Sequence, residues 1–331
     1  MQELPIPGVV FTYIKTNNIK MRIAQMGDTG PLVVLVHGWP ESWYSWRHQI
    51  SSIAKAGYRV VIPEMRGYGK TDAPQQVESY DIVNLAADMV GLLDALGDEK
   101  AHIIGHDWGA IVAANTVLLH PDRFSSLVLM SVPYSGRPDQ LPLTTMKEKF
   151  KDNFFYIIYH NERTGAAETE YDADPYGLLS RLYLSPDSPR EPKTITDLHW
   201  EAGGWIPRLG AAKSLPKWLN QEELDYYVAQ FKDSGFRGGI NYYRNIDRNW
   251  KITEHLSNAK IEIPTLFIAG EKDVVIGGAN ETRLTTMMRR AIPGLKKVVV
   301  VPKMGHWIQQ EAPEETNTAV LEFLSLLKPE Q

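Results

Sequence analysis

A carboxylate flanked by glycines is the first feature of the sequence that could carry chemistry. Residues 105–110 are Gly-His-Asp-Trp-Gly-Ala, placed after a short apolar run and before an apolar, helix-like run. Glycines two positions either side of Asp107 fit a sharp strand-to-helix turn that leaves room only for small neighbours. The residue at such a turn is usually serine. A carboxylate there favours attack on a saturated carbon, because the alkyl ester that forms can afterwards be hydrolysed.

Two more residues, both much later in the chain, could complete this chemistry. Asp273 follows the apolar run 264–269, and His306 follows the apolar run 297–301. A histidine oriented by a carboxylate can activate water, and nucleophile, acid, histidine is an established order for such a triad. Taken singly, Asp107 could cap a helix, Asp273 could be a loop carboxylate or an N-cap, and His306 is one of nine histidines. Their shared position after buried-type strands predicts a catalytic triad.

Alternating strands and helices would bring these three residues together. Alternating apolar runs, and continuous runs typical of strands buried on both faces, predict eight strands. We predict strands at residues 9–14, 19–24, 31–36, 59–62, 102–104, 127–130, 264–269 and 297–301, and helices at 41–56, 81–96, 111–119, 281–291 and from 313 onward. This order predicts an α/β fold with a doubly wound, mostly parallel sheet flanked by helices. Functional groups then collect at the carboxyl ends of the strands.

The alternation stops between residues 134 and 250, where helix-like segments such as 146–160 and 221–231 replace strands. Residues 135–250 hold 18 of the 33 aromatic side chains, which either line an apolar cavity or pack as a helical core. We therefore predict a core made of residues 1–133 and 251–331, with a helical lid, residues 134–250, inserted after the sixth strand.

Composition excludes several other classes of protein. The net charge is −5 and no block of five Lys or Arg residues occurs, so we expect no nucleic-acid partner. The absence of cysteine excludes disulfides, thiol nucleophiles and Cys metal sites, and we expect no metal and no other cofactor. No apolar run of eighteen residues occurs and residues 1–5 do not resemble a signal peptide, so we expect no membrane span and a cytoplasmic location. Monomer and homodimer are both left open.

Over nearly its whole length the chain resembles the soluble epoxide hydrolases of the α/β-hydrolase superfamily. The resemblance rests on five motifs: His37-Gly38-Trp39-Pro40 for the oxyanion loop, Gly105-His106-Asp107-Trp108-Gly109-Ala110 for the elbow, Gly270-Glu271-Lys272-Asp273 for the acid, Gly305-His306-Trp307 for the base, and Gly238-Gly239-Ile240-Asn241-Tyr242-Tyr243-Arg244-Asn245 for the second lid tyrosine. It implies an α/β-hydrolase fold, a small apolar epoxide and water as substrates, and no cofactor.

The resemblance also implies a role for each site residue. Asp107 would open the epoxide to a hydroxyalkyl ester, and His306, oriented by Asp273, would activate the water that hydrolyses this ester. Tyr156 and Tyr243 would donate hydrogen bonds to the ring oxygen. The backbone N–H groups of Trp39 and Trp108 would hold the oxyanion, in a loop that also contains His37 and Pro40.

The choice of the first lid tyrosine stays open at this stage, whereas the motif quoted above favours Tyr243 as the second, although Tyr242 is adjacent to it. Adjacent helical residues point about 100° apart, so only one of Tyr242 and Tyr243 should face the pocket. Tyr159 lies three residues after Tyr156, on nearly the same helical face, and could replace it as the first donor.

Two other functions compete with epoxide hydrolysis. A haloalkane dehalogenase would use the same Asp107 and His306, but its leaving halide needs N–H donors, of which Trp108 could be one. The oxyanion loop lacks the asparagine common in dehalogenases, and the tyrosine motif favours an oxygen leaving group. A non-catalytic ligand receptor on the same fold would be expected to have a broken triad, whereas here all three residues are present.

Overall fold

An eight-stranded sheet forms the centre of the computed structural model, which describes residues 4, 6–162 and 165–327. The strands lie in the order β1-β2-β4-β3-β5-β6-β7-β8. Their bounds are Val10–Thr16 (β1), Ile19–Met26 (β2), Leu32–Val36 (β3), Arg59–Pro63 (β4), Ala101–His106 (β5), Phe124–Met130 (β6), Thr265–Gly270 (β7) and Leu295–Val301 (β8). The predicted mostly parallel, eight-stranded sheet is confirmed.

Strand direction follows from the connections. β3 to β8 are all parallel, whereas β2 runs antiparallel to both of its neighbours, β1 and β4. The β1–β2 hairpin turns at Asn17 and Asn18, which have φ 39° and 62°, a left-handed conformation that asparagine tolerates. Every residue of β3, β5 and β7 is buried, as a sheet covered on both faces requires.

Thirteen α-helices accompany the sheet in the part of the chain that the structure describes. They are Arg47–Lys55 (α1), Ile82–Leu96 (α2), Trp108–Leu119 (α3), Pro142–Phe150 (α4), Tyr156–Glu162 (α5), Ala166–Ala173 (α6), Pro175–Leu182 (α7), Gln221–Ser234 (α8), Arg237–Arg244 (α9), Ile246–Ile252 (α10), Glu281–Arg289 (α11), Ile308–Glu311 (α12) and Pro313–Ser325 (α13). Helices α4 to α10 all lie between β6 and β7. The division into core and lid stays a prediction.

The predicted helix 81–96 is confirmed, but the predicted helix 41–56 is wrong in its first turn. Asp81 caps α2 by accepting from the Asn84 N–H at 3.0 Å, and Gly97, at φ 77°, ends it. Ser42 is extended and caps a 3-10 turn, Trp43–Trp46, so α1 begins only at Arg47.

The predicted helix 146–160 is also wrong, because it is two helices with a break between α4 and α5. Lys151 ends α4 with a φ of 49°. The chain then pairs with a distant segment: Asn153 forms a bridge with His199, and the Phe154 N–H donates to the Leu198 carbonyl oxygen at 2.7 Å. These non-local hydrogen bonds replace those that a continuous helix would have made.

Residues 1–3 and 5, from which the absence of a signal peptide was predicted, and residues 328–331 lie outside the described part. Within residues 4, 6–162 and 165–327, no helix is long and apolar enough to cross a membrane.

Candidate active site

Asp107 lies in a sharp turn between β5 and α3. Its backbone has φ 51° and ψ −120°, a conformation that residues other than glycine seldom adopt. The flanking glycines make the turn possible. A Cβ atom on Gly105 would lie 2.1 Å from the carbonyl oxygen of Gly109, and a Cβ atom on Gly109 would lie 2.0 Å from that of Val36. The strained turn presents the Asp107 carboxylate at the carboxyl edge of the sheet.

The structure brings the three residues of the predicted triad together at this edge. His306 Nδ1 lies 2.9 Å from Oδ2 of Asp273, and His306 Nε2 lies 3.5 Å from Oδ2 of Asp107. Burial alone would lower the pKa of His306, but the Asp273 and Asp107 carboxylates raise it well above its ordinary value. Burial alone would raise the pKa of Asp273, but the charge of His306 and its hydrogen bonds lower it. The imidazole of His306 therefore lies between two carboxylates, both of which raise its pKa.

The loop after β3 contacts the other carboxylate oxygen of Asp107. The Trp39 N–H donates to Oδ1 of Asp107 at 2.8 Å. Trp108 follows Asp107 directly and is the first residue of α3, so its N–H has no acceptor within the helix. Pro40 lines one of the two cavities that meet at Asp107. The Trp39 N–H thus contacts the Asp107 carboxylate directly, and the role of the two N–H groups as oxyanion donors stays a prediction.

His37 has a different position from the rest of that loop. Its Nδ1 donates to the Gly38 carbonyl oxygen at 3.0 Å, and its Nε2 accepts from the Met65 N–H at 3.1 Å. The ring is 1% exposed, burial lowers its pKa, and it is not among the residues that line either cavity. His37 therefore stabilises the loop through hydrogen bonds on the side away from the cavities.

Two tyrosines face Asp107 from the helices between β6 and β7. Tyr156 is the first residue of α5 and Tyr243 lies in α9, and both line the same cavities as Asp107. Their ring centroids are 5.8 Å apart. Burial, together with the Asp107 carboxylate, raises the pKa of Tyr156 and of Tyr243 well above the ordinary value. Both hydroxyls are therefore protonated at neutral pH and able to donate.

The neighbouring tyrosines point elsewhere. Tyr242 donates from its hydroxyl to the Arg66 carbonyl oxygen at 3.0 Å, and Tyr159 donates to the Ala166 carbonyl oxygen at 3.3 Å. Because the chain breaks between α4 and α5, Tyr156 is the first residue of a separate helix. The role of Tyr156 and Tyr243 as donors stays a prediction, but the structure gives these two the positions that the role requires.

Comparison with known proteins points to one family. A family model described as alpha/beta hydrolase fold matches residues 31–313. Epoxide hydrolase A of Mycobacterium tuberculosis is 42% identical over 95% of this chain and 97% of that protein. Epoxide hydrolase 3 of Siraitia grosvenorii is 39% identical over 94% and 97%. The crystal structure of Epoxide Hydrolase A from Mycobacterium thermoresistibile has a TM-score of 0.89 at 43% identity, covering 97% of this chain and all of that one.

The chain belongs to the epoxide hydrolase family, within the α/β-hydrolase fold. The resemblance inferred from the motifs is confirmed, and so is the predicted fold. The comparisons favour this family over the haloalkane dehalogenases.

This member of the epoxide hydrolase family also contains a buried polar network that the sequence analysis missed. His106 Nδ1 lies 2.8 Å from Oε2 of Glu41, and His106 Nε2 lies 2.8 Å from the His306 carbonyl oxygen. Both side chains are completely buried. Burial alone would raise the pKa of Glu41, but His106 lowers it. The sequence signal for this network was His106 itself, which lies next to Asp107 in an apolar strand, because a buried imidazole needs polar partners.

Proposed function

We propose that the chain hydrolyses epoxides to vicinal diols in two steps, through a covalent ester on Asp107. The observation that carries this proposal is the position of Tyr156 and Tyr243, which line the same cavities as the nucleophile. A carboxylate nucleophile alone suits several leaving groups. Two protonated hydroxyls beside it suit an oxygen that leaves as an alkoxide.

In the first step, one carboxylate oxygen of Asp107 attacks a ring carbon. Oδ1 is held by the Trp39 N–H, so Oδ2 is the oxygen that we assign to the attack. The carbon–oxygen bond of the ring breaks as the ester bond forms, and the developing alkoxide accepts a proton from the tyrosine pair. The high pKa of both tyrosines favours hydrogen bonding to the ring oxygen over early loss of the proton.

In the second step, His306 activates water against the ester. Formation of the ester removes the Asp107 charge, which is one of the two carboxylates that raise the pKa of His306. Ester formation therefore lowers the pKa of His306 and favours the unprotonated imidazole, the form that can accept a proton from water. Water attacks the ester carbonyl of Asp107, and the Trp39 N–H stabilises the oxyanion on Oδ1. The proton taken by His306 balances the proton that the tyrosines gave to the diol.

The finer parts of the assignment are proposals of the same kind. We propose that residues 134–250 act as a lid that carries both tyrosines, over a core of residues 1–133 and 251–331. We also propose a cytoplasmic location, to be tested by cell fractionation. Sedimentation would distinguish a monomer from a homodimer.

Product analysis tests the proposed function directly. Styrene oxide should yield phenylethanediol, and the Asp107→Ala variant should yield none. A matched haloalkane should release no halide. Halide release without diol formation would instead support the dehalogenase alternative.

A further inference from the structure

The proposed base, His306, lies in a segment that belongs to neither a strand nor a helix. Residues 302–307 connect β8 to α12, and we call this segment the base loop. Gly305 and Trp307, on either side of His306, are both buried. Buried N–H groups outside regular elements need acceptors from elsewhere in the molecule. The position of the imidazole therefore depends on the side chains that hold the base loop.

The Glu311 carboxylate holds the base loop on both sides of His306. Its Oε2 accepts from the Gly305 N–H at 3.0 Å, and its Oε1 accepts from the Trp307 N–H at 3.0 Å. Gly305 makes this approach possible, because a Cβ atom there would lie 2.9 Å from Oε1 of Glu311 and 2.8 Å from Cδ of Pro186. One carboxylate thus fixes the backbone directly before and directly after the proposed base.

Other side chains hold the His306 carbonyl oxygen. The Ser131 hydroxyl donates to it at 2.8 Å, and His106 Nε2 lies 2.8 Å from it. Together with the two hydrogen bonds to Glu311, these contacts fix three consecutive residues of the base loop. The rotamers open to a side chain depend on its backbone geometry, so the loop sets the direction of the imidazole before a substrate binds.

Glu311 also places negative charge near His306. Burial raises the pKa of Glu311, and the two N–H donors and the charge of His306 offset part of this rise. Because a nearby negative charge stabilises an imidazolium, loss of the Glu311 charge should lower the pKa of His306. The other titratable groups beside the imidazole, or in the cavity that it lines, are Asp107, Asp273, His106, Tyr156, Tyr243, Lys272 and Arg190.

We infer that Glu311 is a positioning residue for His306, which it holds in the orientation that the hydrolytic water needs. Among the described residues, Glu311 is not one of those that line either cavity, so it acts through the base loop and not on the substrate. The inference rests on the proposed function for the step that it assists, but not for the placement of the ring. Its effect should fall on ester hydrolysis, because the proposed ring opening uses Asp107 and the two tyrosines.

A purely structural role for Glu311, as an anchor of α12, is the competing explanation. This helix has other anchors. Gln309 Nε2 donates to Oε1 of Glu41 at 2.8 Å. Gln310 Oε1 accepts from Nη1 of Arg47 at 2.6 Å. We therefore expect α12 to stay in place when Glu311 is changed. Loss of an anchor would weaken the fold and slow both steps alike, whereas loss of a positioning residue would slow one step.

The test follows the ester on Asp107 by rapid mixing and mass spectrometry. Glu311→Gln keeps one acceptor oxygen but turns an amide N–H₂ group toward the second backbone N–H, so the base loop must shift. Ester hydrolysis should slow by a factor of about 10–100 while ester formation stays nearly unchanged, so the ester accumulates. Glu311→Asp keeps both acceptor oxygens and should retain more of the hydrolysis rate. Glu281→Gln is the matched control, because that carboxylate accepts from the Val300 N–H of β8 at 3.1 Å, and both steps should stay intact.

Three results would overturn the inference. Loss of the fold in Glu311→Gln, or equal losses in the two steps, would identify an anchor of α12. An unchanged rate of ester hydrolysis would show that the loop does not need the carboxylate. A slower hydrolysis in Glu311→Asp than in Glu311→Gln would contradict the role of the two acceptor oxygens.

A measurement without substrate separates these results from failure of the proposed function. Nuclear magnetic resonance of nitrogen-labelled histidine gives the signals of the His306 ring, which His306→Gln identifies by their disappearance. In Glu311→Gln these signals should titrate at a lower pH than in the native chain. Ring signals that match those of the native chain would overturn the inference. If the native chain yields no diol but the ring signals still change, the proposed function fails and the positioning of His306 by Glu311 stands.

Discussion

Replacement of Tyr243 by phenylalanine removes one hydroxyl from the site and changes little else. The Tyr243 ring packs edge-to-face on Trp108 and Trp39, with centroid distances of 5.0 and 5.6 Å, and these contacts involve the ring that phenylalanine retains. The side chain is 3% exposed, so water cannot readily replace the lost donor. The ring oxygen would then leave with Tyr156 as its remaining donor.

The expected magnitude follows from this geometry. Loss of one donor to a developing oxyanion in a dry site typically lowers the rate by a factor of about 10²–10³. At about 1.36 kcal/mol for each factor of ten, this corresponds to about 2.7–4 kcal/mol of transition-state stabilisation. The loss should fall on ring opening alone, because in the proposed mechanism hydrolysis of the ester uses His306 and the oxyanion loop.

Rapid mixing with enzyme in excess separates the two steps. The fraction of ester on Asp107, measured by mass spectrometry after quenching at different times, gives the rate of ring opening. Tyr242→Phe is the matched control, because it removes a buried hydroxyl one residue away that donates to the Arg66 carbonyl oxygen. The control should lose about 1–3 kcal/mol of unfolding free energy and retain the ring-opening rate.

Two results would refute this reasoning. An unchanged rate of ester formation in Tyr243→Phe would show that the hydroxyl is not a donor. An equal loss of rate in Tyr242→Phe would show that both variants act through packing of the helix.

Three further variants test other parts of the account. Asp273→Asn removes the carboxylate that contributes most to the raised pKa of His306. The acid limb of the pH–rate profile for ester hydrolysis should therefore move to lower pH, and the maximal rate should fall. An acid limb that stays in place would contradict this assignment. The Glu168 carboxylate accepts two hydrogen bonds from the Arg244 guanidinium, at 2.9 Å to Oε1 and 2.8 Å to Oε2. Glu168→Gln replaces this carboxylate with an amide and should slow ring opening, while the circular dichroism spectrum stays that of the native chain. His306→Gln should let the Asp107 ester accumulate, and absence of any mass increase would count against the covalent route.

The meeting of the three side chains of the proposed triad could be predicted from the sequence because its signals are local. Each of Asp107, Asp273 and His306 follows a buried strand within a few residues, and parallel strands bring their carboxyl ends to one edge. The fold followed from the same alternation of apolar runs. The motif around Tyr243 already favoured it over Tyr242, and the structure adds that the Tyr242 hydroxyl donates to the Arg66 carbonyl oxygen.

The features that the sequence could not predict depend on distant partners. The break after Lys151 exists because Phe154 bonds to Leu198, which lies 44 residues away by number. Likewise Glu41 pairs with His106 across 65 residues of sequence. A local pattern of apolar residues does not indicate such pairings. In residues 146–160 these non-local contacts overrode the local propensity for helix.

The covalent ester on Asp107 is the central claim, and the source of the oxygen in the diol tests it most directly. One turnover is carried out in heavy-oxygen water with enzyme in excess. If Asp107 attacks the ring and water then attacks the ester carbonyl, the first diol should contain no heavy oxygen, and the label should be found in the Asp107 carboxylate. Heavy oxygen in the first diol, with an unlabelled Asp107, would show that water attacks the epoxide directly and would contradict the account.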